Sequence, residues 1–404
     1  MKIMVKAMII IKRFLKKGFR YIYKFANKLR KIYMKSINKE EIDMLVKQIN
    51  EINQKTILFL DIVDWNIPLF QRPQHIANNL AKLGYTYIFF SSNMYDNIEI
   101  YEKKAKNLYV VNNLYLKRII DSVKVELKYI HLYSTDMKTS NHDIDKFIRK
   151  GYRLLYEYID EISEKLYGSA IPKKAIKKHE RILIDTDISI ICTARKLYNE
   201  SIKKRGNINI ELVTNGVEYD HFSNISGVCP IKNIVEKNKP IIGYFGAFAS
   251  WFDYEMINFL AREKKEYEIL LIGWDYDGSI EKSTLKEFDN ITILGPINYK
   301  ILPQYANYFT VSIIPFLINE ITESTSPIKL FEYMALGHPI VTTDMPECRL
   351  YSSVLVSKDR IEFVKNIEKA IGMSNNKKYL NKLREDALKN TWDFKAKEIS
   401  ALLK

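Results

Sequence analysis

The sequence alternates short apolar runs with helical stretches, and this alternation occurs in two separate series. The first series predicts strands at 57–63, 85–91, 129–133, 153–159, 188–192 and 210–213. The second series begins at Pro240 and predicts strands at 241–245, 268–272, 290–294, 311–315 and 339–343. Such alternation is typical of parallel sheets covered by helices on both faces. We therefore expect an α/β protein with two doubly wound, Rossmann-like domains.

Helices are predicted between these strands, at 71–83, 194–204, 253–262, 299–308 and 327–336. Two doubly wound domains that face each other place a ligand crevice at the carboxyl ends of their strands. A length of 404 residues fits two domains, and the turn-prone Thr214-Asn215-Gly216-Val217 offers a junction. The predicted regions are an N-terminal helical region at 1–50, a first domain at 51–215, a second domain at 216–385 and a terminal helix at 386–404.

The net charge of +15 is concentrated at the N-terminus. Thirteen Lys and Arg residues precede the first acid, Glu40, so the other 365 residues carry about +2. This distribution argues against nucleic acid as a partner. Within 1–35, an apolar stripe runs beside a basic stripe at helical spacing, which predicts an amphipathic helix on an anionic membrane surface. A helix packed on its own domain or on a partner is the alternative.

The tail has no segment that resembles a signal peptide or a membrane span. Its longest uncharged stretch near the start, 7–11, is too short for either. The three cysteines are scattered and odd in number, which argues against a disulfide framework. The six histidines form no ligand cluster. We expect a cytoplasmic protein without a metal site.

The segment 324–337, STSPIKLFEYMALG, carries the clearest local signals. Ser326 suits an N-cap, Pro327 the first helical position and Gly337 the left-handed C-cap. The predicted helix starts just after the loop that leaves strand 311–315, so its free N–H groups and positive dipole end face the crevice. The segment therefore predicts an anion site.

Lys329 adds a positive charge within the first turn of this helix, where it opposes the helix dipole and calls for an anionic partner. Glu332 lies three residues on, on the same face. A carboxylate there can accept hydrogen bonds from sugar hydroxyls while Lys329 and the amides hold a diphosphate. From the spacing alone, a surface Lys–Glu pair worth ~0.2–0.5 kcal/mol is at least as good an interpretation.

The run SPIKLFEYMALGHPIVTTDMPE resembles the donor-site helix of GT-B glycosyltransferases. GYFGAFASWFDYEMI at 243–257 and NITILGPINYKILPQYANYFTVSIIPF at 290–316 are similar to strands and turns of their nucleotide-binding domain. VTNGVEYDHF resembles their interdomain signature, and NTWDFKAKEISALL resembles the terminal helix that crosses back onto the first domain. DWNIPLFQRPQHIANNLAKLG resembles the opening of bacterial polysaccharide-type members, particularly the teichuronic-acid group. The resemblance covers about residues 56–404.

The resemblance implies a GT-B fold, with two Rossmann-like domains facing a central cleft. It assigns Lys329 to the donor diphosphate and Glu332 to the ribose or sugar. It also implies that Ser326 and Ile328 line the donor site, and that Gly246 and Gly273 end strands where the backbone approaches the nucleotide.

The sequence departs from the family pattern at two places. Many members have a carboxylate eight residues before Glu332, contacting the transferred sugar; here that position is Ser324, with Glu323 adjacent. Many also carry an Arg and a Lys after the first strand of the second domain, whereas GAFASWFD has neither. Neutralisation of the phosphates therefore rests more heavily on Lys329, and the stereochemical class stays open.

In the first domain, Asp160 follows a predicted strand and should open on the crevice. It is our candidate catalytic residue, as a general base if the enzyme inverts or as a positioning group if it retains. A helix N-cap is the alternative. Arg72 can hold an acceptor or a phosphate, or be an ordinary surface arginine. Asp275-Tyr276-Asp277 spells a metal-binding signature of another glycosyltransferase fold, but with Gly278 it is better interpreted as a turn.

We therefore expect a metal-independent hexosyltransferase that uses a nucleotide-sugar donor, with UDP favoured, and needs no cofactor. The expected acceptor is a cell-envelope polysaccharide or a lipid-linked glycan, reached from the inner face of the plasma membrane. Two alternatives remain: a GT-B-fold nucleotide-sugar epimerase, and an inactive sugar-nucleotide-binding or membrane scaffold protein.

Overall fold

A computed structural model describes residues 39–60, 63–67, 70–164 and 170–403. The amphipathic helix predicted for the basic tail lies outside these residues. The described end of the N-terminal region forms helix α1, Lys39–Ile52. Its apolar side, Ile42, Leu45, Val46 and Ile49, is buried in the core of the first domain.

The first domain is built on a sheet of eight described strands, in the order β3-β4-β2-β1-β5-β6-β7-β8. The strands are Thr56–Phe59 (β1), Thr86–Ser91 (β2), Tyr101–Ala105 (β3), Leu108–Asn112 (β4), Lys128–Tyr133 (β5), Arg153–Tyr158 (β6), Ser189–Cys192 (β7) and Ile210–Leu212 (β8). Every neighbouring pair is parallel except β3–β4.

The second domain is built on a sheet of six described strands, in the order β11-β10-β9-β12-β13-β14. They are Ile241–Phe245 (β9), Glu268–Ile272 (β10), Ile291–Leu294 (β11), Val311–Ile314 (β12), Ile340–Thr343 (β13) and Val354–Ser357 (β14). All neighbouring pairs are parallel. The prediction of two parallel α/β sheets is confirmed.

Helices cover both sheets. Those before the second sheet are Arg72–Lys82 (α2), Leu116–Ser122 (α3), Asn141–Arg149 (α4), Lys173–Ile184 (α5), Arg195–Arg205 (α6), Tyr219–Ser223 (α7) and Lys232–Val235 (α8). The helices that follow strand β9 are Tyr254–Glu263 (α9), Leu302–Ala306 (α10), Glu320–Glu323 (α11), Ile328–Leu336 (α12), Arg360–Met373 (α13), Lys377–Leu388 (α14) and Trp392–Leu402 (α15).

Three strands, β3, β4 and β14, were absent from the sequence prediction. Strand β3 reads YEKKA and is largely exposed, so it lacks the apolar run by which we recognised strands. It is an antiparallel edge strand, and charged side chains there discourage pairing with another chain. The helix predicted at 299–308 is shorter, Leu302–Ala306, because residues 298–301 form a turn before it.

The terminal helix α15 packs on the first domain, as the resemblance implied. Trp392, Ala396 and Ile399 are buried in the cluster that covers one face of the first sheet. The Tyr85 hydroxyl and the Ser400 hydroxyl lie 2.8 Å apart. Where the chain crosses back, the Val217 N–H donates to Asn390 O at 2.9 Å. The residue limits of the predicted domains stay predictions.

Gly243, in the central strand β9, gives a test of how tightly the second core is packed. A Cβ at this position would lie 2.1 Å from Cγ of the buried Phe309. We expect Gly243→Ala to lower the free energy of unfolding by about 1–3 kcal/mol, measured by denaturant titration. Gly295→Ala is the control, because no atom lies within 4 Å of its Cβ. Equal stability of the two variants would contradict this packing.

Candidate donor site

Helix α12 forms one wall of the candidate site, and it begins one residue later than predicted. Pro327 is the N-cap residue (φ −73°, ψ 121°) and Ile328 is the first helical residue. The prediction of Ser326 as N-cap is wrong, because Ser326 bonds instead to the interdomain segment, residues 214–217. Asn215 Nδ2 donates to Ser326 O at 2.6 Å, and Asn215 N–H donates to Ser326 Oγ at 3.3 Å. Gly337 is confirmed as the left-handed C-cap (φ 72°, ψ 30°).

A cavity of about 330 Å³ lies between the two domains. The first domain contributes Phe70, Gln71 and Asp160 to its lining, and the interdomain segment contributes Asn215. The second domain contributes Phe245, Gly246, Ala247, Trp251, Ile297, Tyr299, Leu302, Phe316, Ile321, Thr322, Thr325, Ser326, Pro327, Ile328, Lys329 and Glu332. Six of the predicted site residues therefore meet at one cavity: Asp160, Gly246, Ser326, Ile328, Lys329 and Glu332.

Lys329 is the cation of this cavity, and none of the ion pairs among the described residues includes it. Its Nζ lies 5.5 Å from the ring centroid of Tyr244 and 5.2 Å from that of Phe316. Burial lowers the pKa of Lys329 to about 8, although the charge of Glu332 opposes this shift. An ammonium held among aromatic rings without a paired carboxylate is suited to bind an anion.

Glu332 lies one turn further along α12 and is nearly fully buried, with 6% of its surface exposed. Burial raises its pKa to about 8, against the opposing effect of Lys329. A carboxyl group that titrates near neutral pH can both accept and donate hydrogen bonds. This chemistry suits a ligand that carries hydroxyl groups.

Two glycines allow the backbone to pack closely beside Lys329. Gly246 has φ +146°, and a Cβ there would lie 2.5 Å from Lys329 Cε and 2.8 Å from Nζ, so a side chain would displace the lysine. Gly273 does not line the cavity. A Cβ on Gly273 would lie 1.7 Å from Gly246 O, so it supports the Gly246 turn from behind. The approach of the Gly273 backbone to the nucleotide stays a prediction.

Asp160 faces the cavity from the first domain, just after β6. The Ser134 hydroxyl donates to the Asp160 carbonyl at 3.1 Å, which fixes the backbone of this turn. Burial raises the pKa of the Asp160 carboxyl to about 7. A carboxylate with a pKa near the working pH is suited to proton transfer. Its position agrees with the predicted role, which stays a prediction.

Arg72 is not at the cavity, and the acceptor-binding role predicted for it does not fit the structure. It is buried, and its Nε pairs with the fully buried carboxylate of Glu157. Its Nη1 donates to Thr214 O at 3.1 Å. Burial alone would raise the pKa of Glu157, but Arg72 and His131 outweigh it and lower the pKa to about 2. Arg72 therefore holds the interdomain segment to the first sheet.

Sequence reasoning missed an aromatic contact that crosses the cleft. Phe70 of the first domain and Tyr299 of the second are stacked, with centroids 5.3 Å apart, and both line the cavity. The Tyr299 ring also stacks on His221 at 4.7 Å. Aromatic residues in loops that leave strands were the available signal, but their pairing across two domains cannot be derived from sequence spacing.

The carboxylates of Asp275 and Asp277 serve the turn that the sequence predicted. Asp275 accepts from the Gly278 N–H at 2.9 Å, and Asp277 accepts from the Ser250 N–H at 2.8 Å. Among the described residues, no group of three or more His, Cys, Asp or Glu side chains is arranged to hold a metal ion. No helix in the described part of the chain is long and apolar enough to span a membrane.

The titration of Lys329 predicts how anion affinity depends on pH. The ammonium is mostly protonated at pH 7 and half protonated near pH 8, so we expect UDP affinity, measured by calorimetry, to fall only about twofold between pH 7 and 8. Above pH 8, Lys329 loses its proton and Glu332 gains charge, so the affinity should fall by up to about tenfold per pH unit. Lys329→Met should bind weakly at every pH, whereas Lys282→Met, an exposed control, should match the parent. An affinity that is constant or rises up to pH 9.5 would contradict this assignment.

Comparison with known proteins finds a family similarity in the second domain. Residues 239–372 match the glycosyl transferases group 1 family. A putative teichuronic acid biosynthesis glycosyltransferase, TuaH of Bacillus subtilis (strain 168), is 29% identical over 234 residues. This match covers 56% of the chain and 59% of the relative, which is less than two thirds of its length.

Solved structures show the same two-domain fold. Sucrose-phosphate synthase from Thermosynechococcus elongatus has a TM-score of 0.67 at 15% identity, covering 86% of this chain and 98% of that one. HepE from Anabaena, solved in complex with UDP, has a TM-score of 0.63 at 14% identity, covering 86% and 99%. The chain therefore has the GT-B fold, and its residues 239–372 are similar to the glycosyl transferases group 1 family.

Proposed function

We propose that the protein is a hexosyltransferase that moves a sugar from a nucleotide-diphosphate donor to a cell-envelope polysaccharide or lipid-linked glycan. The observation that carries this proposal is the unpaired ammonium of Lys329 in the interdomain cavity. The group 1 match over the same residues supports it. UDP is favoured as the nucleotide, and the UDP complex of HepE supports this choice. The similarity to TuaH supports an envelope acceptor.

In this proposal, the donor diphosphate binds at the start of α12. Lys329 and the free N–H groups of the first helical turn stabilise its negative charge in the ground state. When the bond from the anomeric carbon to the phosphate oxygen breaks, more charge develops on that oxygen. A fixed ammonium in a partly dehydrated cavity stabilises this charge without reorganising. Glu332 binds hydroxyl groups of the ribose or of the sugar.

Asp160 acts on the acceptor side of the cavity. In an inverting reaction it takes the proton of the acceptor hydroxyl as that oxygen attacks the anomeric carbon, and the nucleoside diphosphate leaves. In a retaining reaction it positions the acceptor and stabilises positive charge on the sugar. Because its pKa is raised to about 7, activity that depends on the ionised form falls as the pH drops below 7.

The transfer is proposed to need no metal ion, because Lys329 and the helix N-terminus supply the positive charge that a divalent cation supplies elsewhere. The protein is proposed to work at the inner face of the plasma membrane, held by its basic residues 1–35. Each Lys or Arg near an anionic surface contributes about 1 kcal/mol. A membrane-bound position brings the cavity close to lipid-linked acceptors.

Donor turnover gives the direct test of the proposed reaction. With a panel of UDP-, GDP- and dTDP-hexoses in EDTA, we expect release of nucleoside diphosphate only when an envelope-glycan acceptor is present. Asp160→Asn should lower kcat by about 10²–10⁴-fold if Asp160 is the general base, with donor affinity retained. Asp187→Asn, in the loop before β7, is the control. Conversion of the donor sugar without acceptor would favour an epimerase, and a strict metal requirement would contradict the proposed mechanism.

Deletion of residues 1–35 tests the proposed membrane attachment. Full-length protein should sediment with vesicles that contain anionic lipid, and less so at high salt, because the attraction is electrostatic. The shortened protein should stay in the supernatant while UDP affinity is retained. Equal sedimentation of both proteins would show that another surface binds the membrane.

A further inference from the structure

A group of charged and polar side chains joins the two domains beside the cavity. Glu161 and Lys196 belong to the first domain, and Glu323, Ser324 and Glu347 belong to the second. We call these five residues the clamp. None of them lines the cavity, and the reaction proposed above uses none of them.

The centre of the clamp is a hydrogen bond from Ser324 to Glu161. Ser324 is buried in the loop between α11 and α12, and its Oγ lies 3.0 Å from Glu161 Oε2. The same Oγ lies 3.0 Å from Glu320 O, so the hydroxyl hydrogen has two acceptors within reach. The charged acceptor makes the stronger bond, which favours the contact across the cleft.

Lys196 extends the contact to a second pair of residues. Its Nζ lies 3.0 Å from Glu161 Oε2 in its own domain and 3.7 Å from Glu323 Oε2 in the other. All three side chains are partly exposed, so each ion pair alone contributes little and is weakened by salt. The Lys196 ammonium nevertheless links a carboxylate of the first domain to a carboxylate of the second.

Glu347 completes the clamp at the start of α6. The N-cap residue of α6 is Ala194, whose side chain cannot accept a hydrogen bond. Glu347 Oε1 of the second domain accepts from the Arg195 N–H at 2.7 Å, and this carboxylate is 3% exposed. A first-domain helix thus takes its N-terminal cap from the opposite domain, and the cap is lost if the domains separate.

We propose that Glu161 is a positioning residue that, through Ser324 and Lys196, holds the cleft closed and fixes Asp160 against the loop between α11 and α12. Glu161 follows Asp160 directly in the chain, so the contact that anchors one carboxylate also places the other. Ser324 belongs to the loop that carries Thr325 and Ser326 to the cavity. This inference rests on the proposed transfer for its kinetic consequence, whereas domain closure can be measured without it.

The clamp explains why position 324 carries a neutral hydrogen-bond donor, the serine hydroxyl. A hydroxyl can donate to Glu161, whereas a carboxylate in the same place would face another carboxylate within hydrogen-bond distance. Like charges so close repel each other and separate the groups that carry them. Ser324→Glu is therefore expected to open the cleft, and a Glu161→Gln change should close it again because the glutamine amide can donate to the new carboxylate.

The test compares Ser324→Glu, the double variant Ser324→Glu/Glu161→Gln and the control Ser374→Glu, which lies at the end of α13. We expect Ser324→Glu to lower kcat by on the order of 10- to 100-fold, because small misplacements of reacting groups have effects of this size. UDP affinity should stay within about threefold, since the nucleotide contacts in the second domain remain. The radius of gyration from X-ray scattering should rise for Ser324→Glu alone.

The double variant should regain both the compact radius and most of kcat, and Ser374→Glu should match the parent in every measurement. The inference is overturned if Ser324→Glu leaves kcat and the radius unchanged, or if the double variant is no better than Ser324→Glu. If the parent protein transfers no sugar, the proposed function fails, and the radii of the three variants still decide whether the clamp closes the cleft.

Discussion

The site depends on a positive charge that the protein encloses without pairing it. Lys329 reaches into the cavity between the rings of Tyr244 and Phe316, and no described carboxylate forms an ion pair with it. It fits there because Gly246 has no side chain, and Gly273 allows the Gly246 turn to rest directly on the end of β10. The ends of β9 and β10 and the start of α12 therefore pack closely around the Lys329 side chain.

The contrast with Arg72 shows why the two cations have different roles. Arg72 is also buried, but Glu157 pairs with it and Thr214 O accepts from it, so its charge is compensated within the protein. Breaking such a buried pair costs about 3–5 kcal/mol, which marks Arg72 as structural. Lys329 lacks this compensation, and in the proposed function the donor diphosphate supplies it. The two buried cations therefore differ in their pairing rather than in their burial.

The arrangement of the two domains completes the cavity, because residues of both domains line it. Asn215 bonds to Ser326, Phe70 stacks on Tyr299, and α15 returns the chain to the first domain. These contacts place Asp160 opposite α12. In the proposed function, the second domain supplies the donor side of the site and the first domain adds the acceptor side with Asp160.

Much of the fold could be predicted from sequence because its signals are local. Apolar runs marked most strands, and Gly337 marked the end of α12 correctly. Strand β3 was missed because it is polar and exposed at a sheet edge. The start of α12 was misplaced by one residue because Ser326 serves an interdomain contact that no local pattern reveals.

The parts of the candidate site that depend on local signals could also be predicted. Lys329 and Glu332 share a helix, so their spacing places them side by side. Gly246 ends a predicted strand, and this position placed it at the crevice. Arg72 was misassigned because its partner, Glu157, lies 85 positions away in the chain. Phe70 and Tyr299 were overlooked for the same reason, since their contact joins two domains. Pairing across long sequence separations is what the sequence alone does not specify.

The most direct test of this account is a crystal structure of the protein with UDP. We expect a β-phosphate oxygen at about 3 Å from Lys329 Nζ, as in a charge-assisted hydrogen bond, with the diphosphate at the start of α12. We also expect Glu332 to contact a ribose or sugar hydroxyl. A diphosphate bound away from Lys329, for example through a metal ion beside Asp275 and Asp277, would contradict the account.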